Sequence, residues 1–374
     1  MKKFYYDTIL DSENICNLQK ERKAIEKGIE KKAKLVVYGP RNFGKTSLVK
    51  NVILSDFSAR HKKNFVFFAD LMDVKNISSI NRRISKGFET AFGRAFPAKN
   101  IMDGVKRFLG SLRPQISIDA NSGAPSLSIT PQSSEKELPF EEIFKTVMEI
   151  AKERKTVIVL DEFQDIAFVD EAQGLFRKAF QEIKDVPIII MGSKRHILAN
   201  MLAKHDAPLS MFGEDVEFTP IAYEEYHSYI MERFALQKLS MTLDNCKYLQ
   251  DAVGRVPEAV NIVCAEIMEE HSGKEITLED IRNAVKNAVE KRQSRYEEYL
   301  SQFSENEESI MISIARKTEV KHPNSAEFLK TVQPTSRMVG IIFKQLLDRS
   351  VIDKNAKGYH ISDPLLAFYL RNYR

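Results

Sequence analysis

Three short stretches of this sequence carry residue types suited to phosphate chemistry. In Gly39-Pro40-Arg41-Asn42-Phe43-Gly44-Lys45-Thr46, glycines stand first and sixth and a lysine and a hydroxyl close the run. Glycine permits backbone conformations that a Cβ would block, so successive N–H groups can turn inward onto an anion. Lys45 would reach the β and γ phosphates of a nucleoside triphosphate, and the Thr46 hydroxyl, with Ser47 beside it, would face Mg²⁺. In the second stretch, Asp161 and Glu162 end the apolar run Val157-Ile158-Val159-Leu160. A carboxylate closing a buried strand is costly unless compensated, and Mg²⁺ acting through a bound water would do so. Glu162 would then orient or deprotonate an attacking water, in a chemistry that consists mostly of positioning and charge stabilisation. Third, Ser193 follows the run VPIIIMG. At the carboxyl edge of a neighbouring strand its hydroxyl would hold the attacking water or a phosphate oxygen. The plainer readings are two solvated acids at a strand end and, for Ser193, a helix N-cap. Lys194 and Arg195 would face phosphate or solvent.

These residues need a scaffold of strands ending at one edge. Residues 1–34 read as helix, with Leu18, Ile25 and Ile29 near one face. Leu35–Tyr38 reads as a strand, the glycine loop as its turn, and Thr46 onward as a helix whose N-terminal partial charge faces the same phosphates. Further strands are expected at 65–70, 157–160, 186–191 and 215–218, alternating with helices at about 76–96, 140–153, 171–184 and 195–204. Continuous apolar runs such as 157–160 suit strands buried on both faces, and the alternation implies a parallel α/β sheet. Residues 110–139, dense in Ser, Pro, Gly and Asn, read as a polar insertion holding a β-hairpin, with Ile116 and Ile118 facing Leu127 and Ile129 across an Asn-Ser-Gly turn. The other reading is a disordered loop. From Tyr223 to about 300 the pattern is almost wholly helical, and 292–308 is polar enough to be a junction.

Composition narrows the function classes. The chain has 374 residues, 43% apolar and 29% charged, which suits a globular protein of two or three domains. A net charge of +4, from 56 basic and 52 acidic residues, is too balanced to mark a nucleic-acid binder. Three separated cysteines, Cys16, Cys246 and Cys264, fit neither a disulfide framework nor a zinc ribbon, and agree with a reducing cytoplasm. No apolar run is long enough to span a membrane, and the N-terminus is a poor signal peptide. The histidines lack metal-ligand spacing.

The last seventy residues read as a separate unit. Helices are expected at 306–317, 324–331 and 335–349, the third with Val339, Ile342, Phe343, Leu346 and Leu347 on its apolar face. Val351-Ile352 and Tyr359-His360-Ile361 would pair as a ribbon. Three helices and a ribbon make a winged helix. In a duplex-binding version the third helix presents its N-terminus to base edges, here Thr335, Ser336 and Arg337, while Lys344, Lys354 and Lys357 would meet phosphate. Residues 305–374 hold eleven Lys and Arg against eight Asp and Glu, a modest excess. A protein docking role therefore stands beside DNA binding.

The runs GPRNFGKTSLV, VIVLDEFQDI and IIIMGSKRHIL resemble the archaeal-type ATPase family, P-loop proteins related to AAA+ and STAND ATPases. The segment Asp11 to Leu18 is similar to that family's adenine-side opening, Gly254-Arg255-Val256-Pro257 to its helical lid motif, and Asp363-Pro364-Leu365 to its closing helix. The resemblance implies an α/β P-loop core (1–220), an all-α lid (221–300) and a winged helix (301–374). It also implies ATP and Mg²⁺ as ligands, with nucleotide contacts from Gly39 to Ser47 and from Pro257. Related proteins often carry an arginine after Phe212-Gly213, where Glu214 stands here, and the usual Arg-Glu pair of the opening is replaced by Asp11-Ser12-Glu13. Arg255 is left as the candidate sensing arginine, and a finger supplied by a neighbour would require a homo-oligomer. The expected activity is slow ATP hydrolysis driving a switch between nucleotide states, reported through the winged helix to double-stranded DNA or a protein partner. The competing expectation is a regulator that holds ATP or ADP without turning it over.

Overall fold

A computed structural model describes residues 3–6, 8–97, 101–108, 113–118, 125–130, 140–202, 208–210 and 212–374. The chain forms two compact units. One comprises Leu18–Pro40 and Lys45–Thr219, the other Met1–Asn17, Arg41–Gly44 and Pro220–Arg374.

The first unit is built on β1 (Lys34–Tyr38), β2 (Asn64–Asp70), β5 (Lys155–Asp161), β6 (Ile188–Gly192) and β7 (Glu214–Glu217), while β3 (Arg113–Ile118) and β4 (Pro125–Thr130) form a separate hairpin. The five strands are parallel in the order β2-β5-β6-β1-β7. Every residue of β6, and all of β5 but Lys155, is buried, as their unbroken apolar runs require. The β2 strand, at an edge of the sheet, alternates buried and half-buried residues. Phenylalanines fill the core, with Phe140 and Phe176 stacked at 4.6 Å and Phe163, Phe180, Phe144 and Phe88 close by. The hairpin pairs Ile116 with Leu127 and Pro114 with Ile129, whereas Ile118 meets Pro125. Its turn lies outside the described residues.

The sequence reading of residues 1–34 as one helix is corrected. Helix covers only Gln19–Glu30. Asn17 and Leu18 adopt left-handed φ values of 47° and 56°. Ahead of them Asp11 Oδ1 accepts from the backbone of Glu13 and Asn14, a local turn that competes with helix. The structure also adds a helix at Ile101–Phe108.

In the second unit, helices Tyr223–Phe234, Leu243–Ala252, Pro257–Glu270 and Leu278–Glu290 pack around buried Val260, Ile267, Ile281 and Cys264. The helix Gln293–Leu300 runs into the stretch read as a junction, because Tyr296 and Leu300 share one buried face. The opening residues pack here, whereas the sequence boundaries placed them with the sheet. Arg233, fully buried, donates to the carbonyls of Lys3 and Glu13, and Tyr229 Oη donates to Asn14 O at 2.9 Å. The three thiols are free and buried, and burial pushes Cys16 up to about 12.

The winged helix consists of Glu305–Lys317, Ala326–Leu329, Ser336–Asp348, the ribbon β8 (Ile352–Lys354) and β9 (Tyr359–Ile361), and a closing helix Pro364–Tyr373. Caps fix its limits. Ser304 and Glu307 form a capping box, and Asp363 Oδ1 accepts from the amides of Leu365 and Leu366. Among the described residues no helix is long and apolar enough to cross a membrane.

Candidate functional site

The strand order sets the site. The glycine loop leaves β1, Asp161 ends β5, and β6 lies between them, so Ser193 emerges between the other two motifs. All three leave the carboxyl edge of a parallel sheet, where the chain direction changes and a crevice can hold a ligand.

The loop takes the conformation its glycines permit. Gly44 has φ +79° and Asn42 φ 62°. Gly39 serves close approach instead, since a Cβ there would come within 2.7 Å of Phe218 Cβ. A helix begins at Lys45, passes through a π-helical stretch at Leu48–Ile53 and ends at Arg60. Lys45, 6% exposed, donates its ammonium to Gly39 O at 2.8 Å and Pro40 O at 2.7 Å. The loop carbonyls thus supply acceptors to a buried cation.

Thr46 Oγ1 donates to Asp161 Oδ2 at 2.8 Å, and the amide of Glu162 donates to Asp161 Oδ1 at 3.0 Å. Asp161 is 5% exposed and these donors are neutral, so burial pushes its carboxyl up to about 6, with the Glu162 charge adding to the rise and the Thr46 bond opposing it. A carboxylate this poorly compensated suits a divalent cation. The donors are hard oxygens, a set that fits Mg²⁺. Among the described residues no cluster of three or more His, Cys, Asp or Glu has metal-ligand geometry. An ion held by Asp161 and Thr46 would therefore complete its shell with phosphate and water, as magnesium commonly does.

Glu162 follows in a left-handed conformation, φ 48°. Ser193 Oγ donates to Glu162 Oε2 at 3.1 Å, which brings together the two residues the sequence placed 31 positions apart. Lys194 faces inward, its ammonium 3.4 Å from Asp165 Oδ1. The Arg195 side chain lies outside the described residues. Sequence reasoning passed over Gln164 and Asp165, both buried beneath Glu162. The available signal was two polar residues in FQDI, directly after a buried strand.

The remaining candidates lie in the second unit. Arg255, with φ 57°, donates to Ile221 O at 2.5 Å and stacks on the Tyr223 ring at 4.0 Å, while its Nε is buried without a partner among the described residues. Pro257 is the first residue of its helix. The loop tip, Arg41 to Gly44, groups with this unit, where the Asn42 amide donates to the Glu258 carboxylate, Phe43 is buried and Arg41 is exposed. In the winged helix Thr335, Ser336, Arg337, Lys344, Lys354 and Lys357 are all exposed. Thr335 is an N-cap by position, yet its side chain makes no capping bond. Glu214 opens β7, exposed.

Residues 16–198 match the family model described as an ATPase domain predominantly from Archaea, and residues 294–372 match a probable winged helix domain. No curated protein matches the chain. Among solved structures it is similar to the Walker-type ATPase Paby2304 of Pyrococcus abyssi, at 16% identity and TM-score 0.66, over 98% of this chain and 99% of that one. It is also similar to the ORC2 protein of Aeropyrum pernix, solved in ADPNP–ADP complexes, at 14% identity and TM-score 0.55, over 98% and 94% of the two chains. The ORC1 protein of Aeropyrum pernix, solved in complex with DNA, aligns at 12% identity and TM-score 0.51 over the same shares. At these identities the likeness shows the fold: a P-loop sheet, helices, and a winged helix at the end.

Proposed function

We propose that this chain, which carries the ATPase domain of a family found predominantly in Archaea and ends in a winged helix, hydrolyses ATP with magnesium as a slow switch. The observation that carries this reading is the meeting of Lys45, Thr46, Asp161, Glu162 and Ser193 at one sheet edge, joined by the bonds Thr46–Asp161 and Ser193–Glu162. Lys45, released from the loop carbonyls, would neutralise the β and γ phosphate oxygens. Thr46 and Asp161 would hold the ion, whose charge would offset that building on those oxygens. Glu162 would accept a hydrogen bond, then the proton, from a water attacking the γ phosphorus as the bond to the β-phosphate oxygen breaks, leaving ADP and phosphate. Ser193 would steady the Glu162 carboxylate. Phosphate release by wild type and by Glu162→Gln, read with malachite green, tests this: equal rates would leave a nucleotide-holding regulator and no catalyst.

The winged helix would report the nucleotide state to double-stranded DNA through Thr335, Ser336 and Arg337, with Lys344, Lys354 and Lys357 on phosphates. Support comes from their exposure and from an ORC1 neighbour solved with DNA. Retarded mobility of a duplex, weakening steeply with salt, is the expected result. A duplex that runs unchanged at low salt, with ATP or without, would defeat it. One observation favours a protein partner instead: Met338 and Ile341 on the same helix are 42% and 51% exposed. Since Glu214 stands where related proteins often carry arginine, a transition-state arginine would come from Arg255 or from a second copy of the chain, and size-exclusion chromatography with ATP against ADP separates these.

A further inference from the structure

Glu162 is held through one oxygen only. Ser193 Oγ at 3.1 Å and Gln164 Nε2 at 2.5 Å both donate to Oε2, and Oε1 takes no hydrogen bond from the described residues. The second proton of the Gln164 amide goes to Asp165 Oδ1 at 3.2 Å. Asp165 is fixed in turn by the Asp73 amide at 2.9 Å and by Lys194. The segments after β2, β5 and β6 thus meet through one buried amide. Its orientation follows from its neighbours, because an amide oxygen turned toward two carboxylates would face only acceptors.

That orientation leaves Gln164 Oε1 fully buried with no partner among the described residues. The oxygen lies against Gly192, where a Cβ would come within 2.1 Å of it. Both features weaken the fold: an unpaired buried carbonyl is left desolvated, and glycine in a strand packs nothing. An aliphatic residue at 164 facing alanine at 192 would serve the core better. Facing positions that both give up stability, joined to one carboxylate, mark a functional constraint.

The geometry points to Gln164 as the positioning residue of Glu162. Its amide clamps Oε2 so that Oε1 stays presented to water, and Gly192 makes room for the clamp. The inference rests on the hydrolytic role of Glu162 proposed above. Being fully buried, Gln164 acts through Glu162 and not on the nucleotide, so its loss changes kcat and spares KM.

The test compares Gln164→Met, which keeps length and loses the donor, with wild type in steady-state MgATP hydrolysis and thermal melting. We expect kcat to fall about tenfold or more, the effect of roughly one lost orienting hydrogen bond. KM should hold within about twofold, with Tm unchanged or higher. Gly192→Ala should lower both kcat and Tm by displacing the amide, and Gln164→Ala combined with Gly192→Ala should recover Tm but not kcat. A wild-type kcat in Gln164→Met, or kcat and Tm falling together there, overturns the inference. Should Glu162→Gln itself hydrolyse at the wild-type rate, the hydrolytic reading fails and this one with it; an inactive Glu162→Gln beside a fully active Gln164→Met defeats the positioning role alone.

Discussion

The sheet edge and the third helix of the winged helix use their polar residues in opposite ways. At the edge, Thr46, Asp161, Glu162, Ser193, Gln164 and Asp165 bond to one another and are buried or nearly so. On the helix Ser336–Asp348, Arg337 and Lys344 are exposed and form no ion pair with the described residues, and Thr335 leaves its capping role unfilled. Fixed dipoles stabilise developing charge without reorganising, whereas a recognition face stays solvated until a partner orders it. That contrast is what the proposed function asks for: preorganised dipoles where phosphate would be cleaved and solvated side chains where a partner would dock.

Six substitutions would break or sharpen that contrast. The largest effect is expected from Lys45→Ala, which should abolish retention of labelled ATP and lower phosphate release by at least ~100-fold, the scale of losing one preorganised donor; unchanged uptake would remove the phosphate cradle from the account. Next comes Asp161→Asn. It deletes a charge that burial disfavours, so melts without nucleotide should rise by a few degrees, at about 2–4 °C per kcal/mol for a domain of this size. The added stabilisation by MgATP should disappear. A lower Tm without nucleotide would show that Asp161 is already well compensated.

On the recognition face effects should be smaller and should leave hydrolysis intact. Arg337→Ala and Lys344→Ala should each weaken duplex retention, and the Lys344 change should reduce the salt slope by about 1. Equal affinity in both variants would turn attention to a protein partner on Met338 and Ile341. The smallest effect separates a used cap from an unused one. Thr277 accepts from the Asp280 amide within a capping box. Thr277→Ala should therefore cost about 1 kcal/mol in denaturant unfolding, and Thr335→Ala well under ~0.5 kcal/mol. Similar losses at both positions would mean that Thr335 is already committed to the fold.

Legibility in the sequence followed distance along the chain. The glycine loop and the Asp161-Glu162 pair were plain because each motif is contiguous and sits at a strand end. The core strands were read to within a residue or two, since their apolar runs are unbroken. The first seventeen residues escape a helical reading because helix periodicity says nothing of Asp11 tying up its own neighbours or of Arg233, over two hundred residues away, donating to the carbonyls of Lys3 and Glu13. Gln164 and Gly192 were invisible as a pair: each is ordinary alone, and only packing places the amide oxygen against the missing Cβ.

The sequence by itself determined which residues have the make-up that phosphate chemistry asks for, because backbone freedom, charge and a hydroxyl at fixed spacing are local properties of the chain. Only the tertiary structure decided that β6 lies between β1 and β5, that Ser193 therefore reaches Glu162, and that a buried amide holds that carboxylate from below. Strand order and side-chain packing join residues that the chain keeps far apart, and no local pattern encodes which of them will touch.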